Sequence, residues 1–232
     1  VNKNAILLES GLVGRIAREA VAEREAEYAG EVRRLLDAAL DQVRRCGAGA
    51  RPRVADIVAT AGLSNDAFYR HFRSKDALMA AVLADGAERL AHYVAHRMSK
   101  EGEPRAKIRC WVAAILAQAD PALAADTRAV LCHTGGLGVD LVTGQAGSAP
   151  RRLAELLHAP FAELGVEEPE YAAGLLAYAT IGKLSEYLWS DAEPTPAEIA
   201  RLEEFCLAAA AAAGRAGPPP WGRFGPERGP NQ

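Results

Sequence analysis

Ser64, Asn65, Asp66, Tyr69, Arg70, His71 and Lys75 crowd amide, hydroxyl and cationic groups into one short stretch of this 232-residue chain. An Asn amide places a donor beside an acceptor and pairs bidentately with adenine, which discriminates between bases by about 1–3 kcal/mol. A Tyr hydroxyl, and a Lys ammonium at a helix N-terminus, suit phosphate oxygens, and Arg70 suits either a guanine edge or a phosphate. This is chemistry for holding a charged polymer. Chemistry for breaking bonds is missing: there is no His-Glu-x-x-His, no Cys-x-x-Cys and no Gly-x-Ser-x-Gly. The run His133-Thr134-Gly135-Gly136-Leu137-Gly138 lacks the Lys-Ser/Thr ending of a phosphate-binding P-loop and follows no plausible strand, so it reads as a loop. The expectation is a protein that is not an enzyme, with no catalytic residue, no metal site and no cofactor.

The polar cluster needs a scaffold, and the flanking pattern supplies one. Ser64 is placed to cap a helix over Asn65 to His71, with Ala67, Phe68 and Phe72 inward and Asn65, Asp66, Tyr69 and Arg70 outward. Before it, Val54, Ile57, Val58 and Ala61 repeat at helical spacing until Gly62, whose freedom at positive φ suits a tight turn, and Leu63 plugs that turn. Pro52 falls where the first turn of this second helix tolerates a missing N–H. Earlier still, Val32, Leu35, Leu36, Ala39, Leu40 and Val43 form one apolar helical face. Ser74 caps a fourth helix from Lys75 that buries Leu78, Met79, Val82 and Leu83 and continues to about Met98. A short helix, a Gly turn and a second short helix with a polar outer face is the helix-turn-helix plan.

The run Val54-Ala55-Asp56-Ile57-Val58-Ala59-Thr60-Ala61-Gly62-Leu63-Ser64, followed by Phe68-Tyr69-Arg70-His71-Phe72-Arg73-Ser74-Lys75-Asp76-Ala77-Leu78, closely resembles the signature of the tetracycline-repressor (TetR) family, over roughly residues 31 to 83. The resemblance implies that Asn65 and Asp66 lie where the family's recognition helix meets bases. It puts Tyr69, His71 and Lys75 at backbone-facing or supporting positions. On their own chemistry, Asp66 also reads as a helix-start charge favoured by the dipole, and His71 as a packed structural histidine. The sequence departs from the family at the start of the second helix, where Arg51-Pro52-Arg53 replaces the usual Thr or Ser, so Arg51 or Arg53 is left to supply a phosphate contact.

Composition is consistent with this reading. The formal charge is −3, yet residues 31 to 75 hold nine Lys/Arg against five Asp/Glu, leaving −7 on the remainder. A basic segment on an acidic body is expected where one part meets phosphate. Cys46, Cys110, Cys132 and Cys206 are scattered, which suits reduced core thiols and a cytoplasmic protein. No apolar run reaches the roughly 18 residues that span a bilayer, so no membrane partner is expected.

The fold class expected is all-α, an N-terminal three-helix helix-turn-helix DNA-binding domain followed by a C-terminal helical ligand-binding and dimerisation domain. The segments are residues 1–30 as an N-terminal extension, 31–80 as the DNA-binding domain, 81–213 as the effector and dimerisation domain, and 214–232 as a flexible Pro/Gly-rich tail. Within the extension, residues 10–29 are left as a separate helix, an arm on DNA, or a continuation of the first helix. Later helices are expected at about 104–119, 121–133, 149–165, 168–189 and 195–213. Trp111, Ile115, Cys132, His133, Tyr178 and Trp189 are the candidates for an amphipathic ligand cavity. Ile199, Leu202, Phe205, Cys206 and Ala209, with Ala172, Ala179 and Gly182, suggest that the last two helices pair two subunits. The resemblance implies a ligand-released repressor acting as a homodimer on a near-palindromic double-stranded DNA operator, with an unknown small-molecule effector. The rival is a helical ligand-binding or scaffold protein that has lost DNA binding.

Overall fold

The apolar face that begins at Val32 belongs to a helix much longer than its own periodicity requires. In the computed structural model, which describes residues 11–46, 52–134 and 149–213, helix α1 runs unbroken over Leu12–Cys46. Gly30 does not interrupt it, although a Gly inside a helix costs roughly 1 kcal/mol relative to Ala. Of the three readings left open for residues 10–29, continuation of the first helix is the one found. Leu12, Val13, Ile16 and Val21 are exposed along this first half, and the buried residues of α1 start at Leu35.

Helix α2 spans Val54–Ala61, α3 Asn65–His71 and α4 Lys75–Met98. The start of α2 differs from expectation: Arg53 is its N-cap residue in extended conformation, so Pro52 precedes the helix, where it is buried. Then come α5 (Pro104–Leu116), a 3-10 turn (Ala117–Ala119), α6 (Pro121–Thr134), α7 (Ala149–Glu163), α8 (Pro169–Ser190) and α9 (Pro196–Ala213). Pro104 and Pro169 stand in the first turns of α5 and α8, where an N–H would lack a helical acceptor anyway. No strand occurs among the described residues. The expectations for Arg51, for the Gly-rich stretch 135–147 and for the 214–232 tail lie outside them.

The chain divides into two compact units, one formed by the chain through Leu83 with a segment from Arg128, the other by Ala84–Thr127 with the later helices. In the first, Leu35, Ala39 and Val43 of α1 meet Ile57 and Val58 of α2, Phe68 of α3 and Leu78 and Met79 of α4. Ala129 and Val130 of α6 join the same cluster. Phe68 is fully buried, a contribution of about 1.5–3 kcal/mol, and it ties the short α3 to the core.

In the second unit, α7 packs along α8, and α5 packs against α7, α8 and α9. Ile108, Trp111, Ile115, Leu153, Leu157 and Phe161 are solvent-free at its centre. The Trp111 indole N–H donates to the Leu153 carbonyl at 2.9 Å, so the largest buried side chain is satisfied as well as packed. All four thiols are free, but the description as core thiols fits Cys206 alone: Cys132 is exposed, and Cys46 and Cys110 are half-buried.

Candidate nucleic-acid interface

Gly62 closes α2 at φ 65° and ψ 35°, the left-handed conformation that an L side chain resists. Its N–H donates to the Ala59 carbonyl at 3.3 Å, and the Leu63 N–H donates to the Val58 carbonyl at 2.9 Å, which satisfies the carbonyls that the helix end exposes. The chain then extends through Ser64, whose hydroxyl oxygen accepts the Ala67 N–H at 3.1 Å and caps α3. At the other end Ser74 does the same for the Ala77 N–H at 3.1 Å, opening α4. A helix of seven residues is thus fixed at one end by a cap, and between by Ala67 and Phe68, which are buried.

This arrangement puts Ser64, Asn65, Asp66, Tyr69 and Arg70 outward together, with Lys75 half-buried at the start of α4. Tyr69 is 60% exposed, and its ring stands edge-on to that of Phe68, centroids 5.1 Å apart. Asp66 occupies the first turn of α3, where the helix dipole favours an anion. Ser64 is committed to the cap through its acceptor oxygen and remains exposed.

Three of the predicted DNA-binding side chains are paired with carboxylates within the chain. Arg53 forks onto Asp56, with Nε to Oδ2 at 2.9 Å and Nη2 to Oδ1 at 3.3 Å. It gives α2 no side-chain cap hydrogen bond, so the capping part of the usual hydroxyl's role is not taken over by Arg53. Arg70 donates to Glu31 Oε2 at 2.8 Å, and His71 Nε2 meets the same oxygen at 2.5 Å. The His71 ring is wholly buried and lies edge-on to Tyr28, centroids 4.2 Å apart. His71 is therefore a packed histidine that faces α1, and Arg70 also reaches α1, while Asn65, Asp66 and Tyr69 are exposed. The two donors hold the Glu31 carboxyl below its ordinary range, the His71 hydrogen bond contributing most and that of Arg70 next.

Glu31 and Tyr28 were not singled out from the sequence, because their partners lie some forty positions along the chain. One local signal was present: Glu31 precedes Leu35, Ala39 and Val43 at four-residue steps, an acid on the stripe that is otherwise buried.

The predicted ligand-lining residues differ in burial. Trp111 and Ile115 are fully buried on α5, whereas Tyr178 and Trp189 are 39% and 52% exposed on α8. Cys132 is exposed on the part of α6 that belongs to the first unit, and the His133 side chain lies outside those described. The apolar stripe expected on α9 splits as well, with Phe205 exposed and Cys206 buried.

A left-handed glycine turn between two short helices, the second capped by Ser and presenting an amide, an aromatic hydroxyl and a guanidinium, is a helix-turn-helix, the arrangement whose second helix DNA-binding proteins set in the major groove. Residues 35–82 match the family model described as bacterial regulatory proteins, tetR family. The match covers the helix-turn-helix segment, so residues 35–82 are similar to that family's N-terminal domain. Two solved structures share the fold over most of their length. One, from Mesorhizobium loti MAFF303099, is described as a TetR-family transcriptional regulator and is 18% identical with a TM-score of 0.55, the alignment covering 80% of this chain and 96% of that one. The other, described as a transcriptional regulator from Pseudomonas aeruginosa PAO1, is 22% identical with a TM-score of 0.52, covering 79% and 92% respectively. No curated protein matches the chain. No single helix among the described residues is long and apolar enough to cross a membrane.

Proposed function

We propose that the protein is a homodimeric repressor that sets the α3 helices of two protomers in successive major grooves of a near-palindromic operator, about 34 Å apart. The observation that carries the DNA-reading part is the outer face of α3, where Asn65, Asp66, Tyr69 and Arg70 are exposed together on a capped helix. Asn65 takes the base-reading role, and Tyr69 and Lys75 the phosphate contacts, with Ser64 and Asp66 at the helix start.

The proposed subunit contact is the outward stripe of α8, Tyr171, Leu175, Tyr178 and Trp189, together with exposed Phe205 of α9. Each is at least 39% exposed, and Gly182 lies within the stripe with open space at its Cβ position. Isolated exposed apolar residues need no explanation, but a row of large ones on one helix suits a two-fold helix pairing. Tyr178 and Trp189 are accordingly reassigned from the ligand cavity to this contact. An effector bound by the segment 81–213 would release operator by its differential affinity for the DNA-competent and incompetent states. The free thiols suit a cytosolic setting. The rival, a helical protein that has lost DNA binding, draws on the internal pairing of Arg53 and Arg70.

Selection of binding sites from random duplex DNA, using the full chain and then Asn65→Ala, followed by sizing of the complex, tests this reading. An enriched near-palindrome bound by a dimer, with preference relaxed at one base and affinity lower by about 1–3 kcal/mol in the variant, is expected. A folded protein that enriches no sequence at moderate salt supports the rival.

A further inference from the structure

We propose that Glu31 restrains sequence-independent DNA binding by withholding the Arg70 guanidinium from phosphate. This rests on the reading of α3 as the DNA-facing helix. Glu31 is no wavering surface acid: its side chain is 14% exposed, and one oxygen, Oε2, receives both Arg70 and the buried His71. His71 is in turn set against Tyr28, one turn before Glu31 on α1. The acceptor is therefore fixed from beneath before Arg70 arrives, so the pair orders one long side chain, whereas an ordinary surface ion pair must order two. The guanidinium reaches α1 even though Asp66 stands one turn back on its own helix.

Arg70 is still 58% exposed and lies in the last turn of α3. Base edges are met by the N-terminal residues of a recognition helix, here Asn65 and Asp66, so a cation at the other end is placed for the backbone. Its Nη2 is held by Glu31, so a phosphate competes with that carboxylate for the guanidinium charge. Binding without sequence preference is carried by phosphate neutralisation, and it loses most from this competition, while the base contacts of Asn65 are untouched. Glu31 thereby acts as a specificity-setting residue without touching DNA.

The test is the salt dependence of binding to random-sequence duplex DNA, measured by fluorescence anisotropy with full-length wild type, Glu31→Gln, Arg70→Ala and the double variant. Each added phosphate contact steepens the slope of log Kobs against log[salt] by about 0.9. Glu31→Gln is therefore expected to enlarge the loss of affinity between 50 and 200 mM salt by about 3.5-fold per protomer. In the Arg70→Ala background the same substitution should leave the slope where it was. An unmoved slope in Glu31→Gln, or equal steepening without Arg70, overturns the proposal, the second because removal of charge alone would account for it. Should Glu31→Gln lose its helical signal by circular dichroism, Arg70→Ala decides alone: a wild-type slope is expected, and a slope shallower by about 0.9 means that Arg70 already holds a phosphate. A folded wild type that binds no duplex defeats the DNA-facing reading itself, whereas wild-type binding with normal salt dependence and an unmoved Glu31→Gln slope defeats only the restraint.

Discussion

Gly62 offers a clean perturbation of the turn, because a Cβ built there meets nothing within 4 Å. Any cost of replacing it is then backbone strain at φ 65°, uncontaminated by a clash. An L residue held in the left-handed region loses roughly 1–2 kcal/mol, and Asn, whose side chain tolerates that region, loses less. Gly62→Ala should therefore lower stability by about 1–2 kcal/mol and Gly62→Asn by roughly half as much, with Gly62→Val the worst because β-branched residues avoid positive φ. For a slope of about 2 kcal/mol/M in urea, the Ala midpoint falls by about 0.5–1 M. The probe has to be far-UV circular dichroism: none of the three Trp falls in the stretches that make up the unit holding Gly62, through residue 83 and 128–135. A neutral Gly62→Ala, or equal losses for Ala and Asn, would refute a left-handed turn. A loss above about 4 kcal/mol would mean that the space around the residue is not open.

Two further outcomes follow from the titratable groups. The Glu31 carboxyl is held below its ordinary 4.5 by His71 and Arg70, so its pairing stabilises the fold fully above that value and is lost as pH falls through the depressed one. The gap in urea midpoint between wild type and Glu31→Gln should close on acidification below 4.5, and a gap constant across the acid range would contradict the clamp. Burial pushes the Cys206 thiol up to about 11, whereas Cys132 is exposed. Iodoacetamide at mildly alkaline pH, read by mass spectrometry, should modify Cys132 first and Cys206 only on unfolding; comparable rates in the native protein would place Cys206 at the surface.

Local signals were legible in the sequence and long-range ones were not. The α2 and α3 helices, the Gly62 turn and the Ser64 cap lie where residue type and spacing put them, because a positive-φ glycine, an N-cap hydroxyl and an apolar period all act within a few positions. The upstream half of α1 resisted assignment because Leu12, Val13, Ile16 and Val21 bury nothing in the chain, so no packing stripe distinguished helix from arm. The Glu31 contacts with Arg70 and His71 could not be read from spacing at all, since only the fold brings α1 and α3 together. On α8, apolar residues run almost all round, and periodicity gave no means of telling buried Leu176 and Ile181 from outward Tyr178 and Trp189.

A helix as short as α3 is marginal by itself in water and holds its shape only while Phe68 is lodged in the core and Ser64 is capping. Stability and recognition are therefore written on separate letters of the same seven-residue word. Ala67 and Phe68 keep the helix in place, with Arg70 and His71 tied to Glu31, and Asn65, Asp66 and Tyr69 present their polar groups outward. Such a surface can drift to new targets by outward substitutions that hardly trouble folding. It cannot be lifted out as a peptide, because the grip that gives it form stays behind.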